Sequence, residues 1–241
     1  TVVEGEYSFP GADELGAFTV EPESIEMELR GGQRKSQVLQ LTSEIQETAV
    51  ILVTGKELQP DYPYCPLEWV EVRGPSELEL PGRGKGRVLL TFVVPKDAAD
   101  ASYNGSLVLT AFDPDSGDQL SQRMIPLSIL VGDNHTYGVE LRSLEAESVE
   151  EGHVLSLDLA NTGNVDLRPN ADLVITSSTG EFVERAALTL LEGTEKVMPL
   201  RSEQLLGVAQ GLEAGLYQVR VTVYDGRREI HESEMLLEID K

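Results

Sequence analysis

The fold is decided by residues 122–142, which read QRMIPLSILV at 122–131, GDNHT at 132–136 and YGVELR at 137–142. The first segment is rich in residues that favour strands, the second is polar and opens with glycine, and the third begins a new alternating pattern. This order predicts the end of one β-rich domain, a short joint and the start of another. Each half is about as long as an immunoglobulin-type sandwich, roughly 100 residues.

Alternating strands and tight turns recur on both sides of the joint. In the first half, Ile25, Met27 and Leu29 alternate with charged residues, which predicts a strand buried on one face. In the second half, Asp225-Gly226 between two alternating runs is the strongest hairpin signal. Strands in that half are predicted at 138–147, 153–160, 171–177, 181–190, 195–200, 203–209, 216–224 and 228–239.

No segment combines a sustained helical period with helix caps, so long helices are not expected. We therefore predict an all-β chain of two tandem immunoglobulin-like (Greek-key) β-sandwich domains. The predicted parts are a flexible acidic lead-in at 1–16, a first sandwich at 17–132 and a second sandwich at 137–241.

The composition narrows the class of partner. The chain has 241 residues, with 42 acidic residues against 19 basic ones and a formal net charge of −23. A field of this sign repels nucleic acid and anionic lipid, so neither is expected as a partner. No apolar run approaches the roughly 18 residues that a membrane-spanning helix needs, so no membrane insertion is predicted.

Cysteine usage and the first residue bear on the compartment. Cys65 is the only cysteine, which excludes an intrachain disulfide and any site built on several thiolates. The chain starts at Thr1 without a signal peptide, and we interpret it as a mature or trimmed chain whose leader has been removed. The expected location is therefore the periplasm, the extracellular space or the cell surface.

Two groups of segments resemble a known family. The first runs from Phe18-Thr-Val-Glu-Pro22 into Ser24-Ile-Glu-Met-Glu-Leu29 and continues with Trp69-Val-Glu-Val72 and Val94-Pro-Lys-Asp-Ala98. The second combines Leu157-Asp-Leu-Ala-Asn-Thr-Gly-Asn-Val165 with Gly215-Leu-Tyr-Gln-Val219. Their order resembles periplasmic pilus-chaperone-like proteins and related bacterial tandem immunoglobulin-like proteins. The resemblance concerns the fold, and function is carried over only as an analogy.

The resemblance implies two functional features. A pilus chaperone is expected to hold the C-terminal carboxylate of a pilus subunit in a basic cleft, and to present an alternating apolar strand at the end of its first domain. In this chain that strand carries Ile125, Leu127 and Ile129 on one face, which its own core also needs. Arg123 is the basic residue nearest to the strand. These four residues are the candidate partner-binding residues of the strand.

A loop rich in tyrosine and proline is the second candidate recognition element. It contains Tyr62 and Tyr64 beside Cys65, and it is expected to be exposed. Aromatic side chains of this kind suit either a protein partner or a carbohydrate.

One acidic loop is a candidate cation site. Asp113, Asp115 and Asp118 alternate with Pro114, Ser116 and Gly117, and Ca²⁺ prefers several carboxylate and carbonyl oxygens. The same residue types are typical of a hairpin turn that holds no ion, and that interpretation is preferred. No other cofactor is predicted.

These observations favour a non-enzymatic, exported protein-binding module, chaperone-like or scaffold, that engages a protein partner through a strand edge or the interdomain cleft. Histidines are isolated from one another, and the glycine-rich and nucleophile-elbow motifs of nucleotide-binding proteins and hydrolases are missing from the sequence. Two alternatives stay open. One is a cell-surface adhesion module that binds carbohydrate or a host protein with help from calcium, and the other is a pair of accessory β domains of a larger secreted enzyme.

Overall fold

The computed structural model describes residues 16–57, 62–74, 77–150 and 152–240. The predicted lead-in at 1–16 lies outside these residues except for Gly16. In these ranges sixteen strands follow one another, and the one further regular element there is a 3₁₀ turn at Leu67–Trp69. The prediction of an all-β chain with two immunoglobulin-like domains is confirmed. No helix in the described ranges is both long enough and apolar enough to cross a bilayer.

The strands of the first half have the following bounds. They are β1 (Phe18–Glu21), β2 (Ile25–Leu29), β3 (Arg34–Ser43), β4 (Ala49–Lys56), β5 (Val70–Arg73), β6 (Glu77–Leu80), β7 (Lys85–Val93), β8 (Ala101–Phe112) and β9 (Gln119–Val131). Seven strands form the second half: β10 (Val139–Val149), β11 (Gly152–Asn161), β12 (Pro169–Ser177), β13 (Phe182–Leu190), β14 (Ser202–Ala209), β15 (Gly215–Asp225) and β16 (Arg228–Ile239).

The chain divides into two compact units. The first contains residues 16–27, 32–95 and 104–128 among those described, and the second contains 28–31, 96–103 and 129–240. Two sheets build the first half of the chain, with strand orders β1-β3-β7-β5 and β2-β9-β8-β4-β6. Alternate side chains from both sheets meet in the core, where Phe18, Leu41, Leu90 and Leu109 are fully buried.

The second unit is one hydrogen-bonded sheet that folds over itself. Its strand order is β10-β11-β14-β13-β12-β15-β16. Only two residue pairs, Thr189↔Leu206 and Leu190↔Leu205, join β13 to β14, so the sheet bends there into a three-stranded and a four-stranded layer. Leu157 from one layer and Leu173 and Val221 from the other are completely buried in the shared core.

The predicted hairpin at Asp225-Gly226 is confirmed, since β15 and β16 pair over their whole length and Gly226 has a φ of 60°. The predicted strand at 195–200 is wrong. Only an isolated bridge between Leu167 and Val197 occurs in this region. A turn from Met198 to Arg201 ends it, with Leu200 at a φ of 62°. A positive φ is incompatible with an extended strand, and Pro199 sets up the turn.

The polar segment 132–136 is tied into the second unit by the side chains of Asn164 and Asp100, whose carboxylate accepts from the backbone N–H of Asn134 at 2.9 Å. The Asn164 side-chain amide donates to the carbonyl oxygens of Asp100 at 2.6 Å and Asn134 at 3.0 Å. Its oxygen accepts from the backbone N–H of Thr136 at 2.7 Å. Gly132 has a φ of 78°, and a Cβ there would overlap the Asp100 carboxylate. The predicted joint therefore has a fixed conformation on this unit.

Asn161 is a buried polar residue on which the end of β11 depends. Its amide nitrogen donates to the carbonyl oxygens of Val165 at 2.8 Å and Val197 at 2.9 Å. Its oxygen accepts from the backbone N–H of Gly163 at 2.9 Å. The side chain is 1% exposed, so water cannot replace these bonds.

We predict that Asn161→Ala lowers the free energy of unfolding by about 2–4 kcal/mol, because two carbonyls and one N–H lose a buried partner. Urea denaturation followed by circular dichroism measures the change. Asn170→Ala, at an exposed position of β12, is the matched control and should change stability by less than about 0.5 kcal/mol. Equal effects of the two substitutions would contradict the assigned role.

Candidate functional site

The N-terminal half of β9 is an open strand edge in the first unit. β9 has 13 residues, whereas β2, its neighbour on one side, has five. The end of β2 is aligned with the end of β9, because the backbone N–H of Gly132 donates to the carbonyl of Leu29 at 3.0 Å. In the described ranges, no strand pairs with β9 beside residues 119–124 on that side. Backbone groups at an unpaired edge of this kind can accept an added strand.

A groove of about 400 Å³ lies along this edge. It separates β9 from β1, which is the terminal strand of the other sheet. Its lining contains both apolar and charged side chains. The lining residues are Thr19, Val20, Glu23, Arg123, Met124 and Ile125.

Two polar contacts cross from β9 to the segment that contains β1. The Ser121 hydroxyl oxygen accepts from the backbone N–H of Ala17 at 3.1 Å. The Nε of Arg123 donates to the carbonyl oxygen of Phe18 at 3.3 Å. Gly16 lies against the Arg123 guanidinium, which would have to shift to admit a Cβ at this position. The two walls of the groove are therefore joined by side-chain hydrogen bonds and not by a backbone ladder.

The period of two along β9 divides its side chains between the core and solvent. Ile125 and Leu127 are 2% exposed and Ile129 is fully buried. In contrast, Leu120 is 41% exposed and Met124 is 42% exposed. The side chains of Ile125, Leu127 and Ile129, which are candidate partner-binding residues of the strand, therefore fill the core of the domain, and the exposed large apolar side chains of β9 are Leu120 and Met124.

Of the predicted strand residues, Arg123 is the one that the structure places on the groove with an accessible side chain. It is half-buried, and only its Nε donates to Phe18. It supplies positive charge beside Glu23. Leu120 and Met124 were missed because only the apolar residues from 125 onward were taken as candidates on this strand. Their spacing of four residues with Gln122 between them is the alternating signal that could have found them.

The tyrosine loop differs from the expected exposed element. Tyr62 is 6% exposed and Tyr64 is half-buried. Their rings meet edge to face, with centroids 6.0 Å apart and an interplanar angle of 77°. The prediction that both tyrosines form an exposed recognition surface is corrected, because their rings pack on each other and into the domain. Burial raises the pKa of the Cys65 thiol beside them.

The acidic loop 113–118 is a hydrogen-bonded turn. The Asp113 carboxylate accepts from the backbone N–H groups of Ser116 at 2.9 Å and Asp115 at 2.8 Å. The Ser116 hydroxyl accepts from the N–H of Asp118 at 3.2 Å. The structure does not bring Asp113, Asp115 and Asp118 together as ligands: in the described ranges, no three His, Cys, Asp or Glu side chains cluster closely enough to hold a metal ion.

No protein-family model matches this chain, and no curated protein is similar to it in sequence. Solved structures of pilus chaperones are similar to it in fold. The class 5 fimbriae chaperone CfaA aligns with a TM-score of 0.50 at 15% identity, over 92% of this chain and 99% of that chain. The fold is pilus-chaperone-like.

Two further chaperone structures align at lower scores. The SafB chaperone, solved with the Salmonella enterica SafA pilin, has a TM-score of 0.46 at 14% identity, over 94% of this chain and 99% of that chain. The E. coli chaperone DraB has a TM-score of 0.45 at 14% identity, over 91% of this chain and 98% of that chain. At these identities the likeness concerns the pilus-chaperone-like fold, and function has to be argued from the site.

The turn at 113–118 gives a pH-dependent prediction. N–H groups from Ser116 and Asp115 favour the ionised carboxylate and hold the pKa of Asp113 below its usual value of 3.8. A lowered folded-state pKa contributes stability that is present above the unfolded pKa. This contribution should be lost as the pH falls from 3.8 through the lowered value.

Carboxyl titration by NMR should show Asp113 titrating below ordinary aspartates. Asp113→Asn keeps an oxygen acceptor for the turn but removes the titration, so its stability should lose this component of the acid dependence. An unchanged acid dependence in Asp113→Asn would contradict the prediction.

Proposed function

We propose that this protein is a non-enzymatic, exported protein-binding module of the chaperone or scaffold type. It acts in the periplasm or at the cell surface, and it binds an extended segment of a protein partner along the N-terminal half of β9. The observation that carries the proposal is the open edge at residues 119–124 beside the groove between β1 and β9.

An open edge supports strand addition. An extended peptide that pairs with β9 gains main-chain hydrogen bonds, and its alternate side chains enter the neighbouring groove. Leu120 and Met124 lie on the exposed face of β9 and offer apolar contact to such a segment. A β-rich partner should bind most tightly, because its strand or tail is already extended and loses little conformational entropy on binding.

Arg123 gives the groove a polar anchor. The Nε donates to the Phe18 carbonyl oxygen at 3.3 Å, which orients the guanidinium before a partner arrives. A guanidinium presents paired N–H donors that match a carboxylate or a backbone carbonyl. We assign Arg123 the binding of one such acceptor on the partner strand.

The pilus-chaperone-like fold supports the same role, since CfaA and SafB are chaperones and the SafB structure contains a pilin. The adhesion and accessory-domain alternatives gain no support from the described residues. The buried Tyr62 does not provide the exposed aromatic platform that a sugar site needs.

The test is a pull-down from an envelope extract of the source cell, read by mass spectrometry, with and without EDTA. The wild-type protein should capture a stoichiometric β-rich partner regardless of EDTA. The double substitution Leu120→Lys and Met124→Lys should reduce capture at least tenfold, because it replaces the apolar face beside the edge with charge. Arg123→Gln should weaken capture less, by about five- to tenfold.

Leu191→Lys is the control, because Leu191 is 57% exposed and lies in the second unit. It should retain the partner. With the partner identified, amide hydrogen exchange should slow at residues 119–124 in the complex. Capture that depends on calcium, or that is equal for the β9 variants and the control, would refute the proposal and favour the adhesion alternative.

A further inference from the structure

The second unit contains another open seam, between its two terminal strands. β10 and β16 stand at opposite ends of the seven-stranded order, and each pairs with a single described neighbour, β11 or β15. The fold of the sheet nevertheless brings the two strands into contact. Their facing edges carry no ladder between them in the described residues, so both present backbone donors and acceptors.

A groove of about 500 Å³ follows this seam. Leu141 and Met235 pack against the core of the unit and form its apolar floor. Leu236 is 64% exposed at the rim. The complete lining is Val139, Glu140, Leu141, His231, Ser233, Glu234, Met235 and Leu236.

A polar group on the groove lacks a partner. The hydroxyl oxygen of Ser233 is buried and has no hydrogen-bond partner among the described residues. Ser233 lies opposite Val221 of β15 and so points to the inner side of the sheet. A buried hydroxyl without a partner costs free energy, which a suitable side chain entering the seam would recover.

β16 is the better edge for pairing. It contributes His231 and the consecutive residues 233–236 to the groove, and its pairing with β15 is regular from residue 231 to its end. β10 contributes only residues 139–141, and its register shifts between Leu141 and Ser143. A bulge of this kind bends an edge and discourages an added strand.

Charged side chains at the rim of the groove determine which kind of segment can bind there. Glu140 and Glu234 line the groove, and exposed Glu232 and Glu238 lie on the same strand as Glu234. Arg142 lies 4.0 Å from Glu140 and Arg220 is the cross-strand neighbour of Glu234, so two of these four carboxylates are partly neutralised and the rim keeps a net negative charge. Their charges oppose a second copy of this chain, whose net charge is −23. They attract a strand whose outward side chains are lysine or arginine.

We propose that the seam between β10 and β16 binds an extended basic segment of another protein, which adds to β16 as a strand. Small apolar side chains of the segment cover Leu141 and Met235, and a hydroxyl or amide side chain meets Ser233. Its lysines or arginines face Glu140 and Glu234. The groove spans residues 231–236, which corresponds to a segment of about six residues, roughly 20 Å long. This site is in the second unit and does not depend on the function proposed for β9.

The test uses a fluorescein-labelled peptide of about seven residues in which lysine alternates with valine and threonine. Fluorescence anisotropy measures its affinity for the full chain. A peptide with glutamate in place of lysine should not bind. Two further peptides carry N-methyl groups on alternate amides, one on the amides that face β16 and the other on the amides that face away from it. The first should not bind, because strand addition needs those N–H groups, whereas the second should still bind.

Glu234→Lys reverses a charge on the groove, and Glu203→Lys makes the same change at an exposed position of β14 away from it. Glu234→Lys should lower the affinity for the lysine peptide by about five- to tenfold, whereas Glu203→Lys should change that affinity by less than about twofold. Amide exchange should slow at residues 231–236 on binding.

The proposal would be overturned if Glu234→Lys and Glu203→Lys lost the same affinity for the lysine peptide, or if both N-methylated peptides bound. Either result would show non-specific attraction to an acidic surface. Protection at residues 119–124 of β9 instead of 231–236 would also overturn it, while leaving the function proposed for β9 supported.

Discussion

Burial of Ile125, Leu127 and Ile129 fixes the register of β9, because successive side chains of a strand alternate between its two faces. A slip of one residue would move all three out of the core. The same alternation sends Leu120 and Met124 to the exposed face and turns Arg123 toward β1, where its Nε donates to the Phe18 carbonyl oxygen. The stability of the first sandwich and the chemistry of its open edge are therefore set by one constraint, and neither can change without the other.

The acidic composition acts together with these edges. A β-sandwich leaves terminal strands with unpaired backbone groups, and charged side chains on such strands oppose pairing between identical chains. Glu26 and Glu28 on β2, and Glu232, Glu234 and Glu238 on β16, are exposed residues of this kind. An edge can thus avoid pairing with an identical chain and still accept a partner of the opposite charge. The same negative charge favours partner strands that carry lysine or arginine over strands that carry acidic side chains.

The parts of the fold that the sequence predicts are those where local pattern and tertiary structure agree. Alternation in 25–29 and the Asp225-Gly226 turn are signals carried by a few adjacent residues, and the structure has the strand and the hairpin there. The error at 195–200 arises because Leu200 adopts a positive φ that leucine rarely takes, and only contacts with Asn161 reveal it. Burial of Tyr62 likewise depends on distant residues, so a composition that is typical of an exposed loop gave the wrong expectation. At the site, Arg123 was predictable from its position beside an alternating strand, but the open part of β9 depends on β2 being only five residues long, which is a property of the sheet.

The edges at β9 and β16 differ in how far the gap beside each strand is filled. Between β1 and β9, Ser121 and Arg123 already bond across to backbone groups at Ala17 and Phe18, so an incoming strand meets walls that are held in place. Between β10 and β16 no such bridge spans the described residues of the groove, and Ser233 keeps an unsatisfied hydroxyl. Preorganisation lowers the entropy lost on binding, which favours tight and selective recognition at the first edge. The second edge relies on charge attraction and on relief of one buried polar group. Charge attraction mainly speeds association and weakens with salt, so the physics of the two edges suits a durable partner at β9 and an exchangeable one at β16.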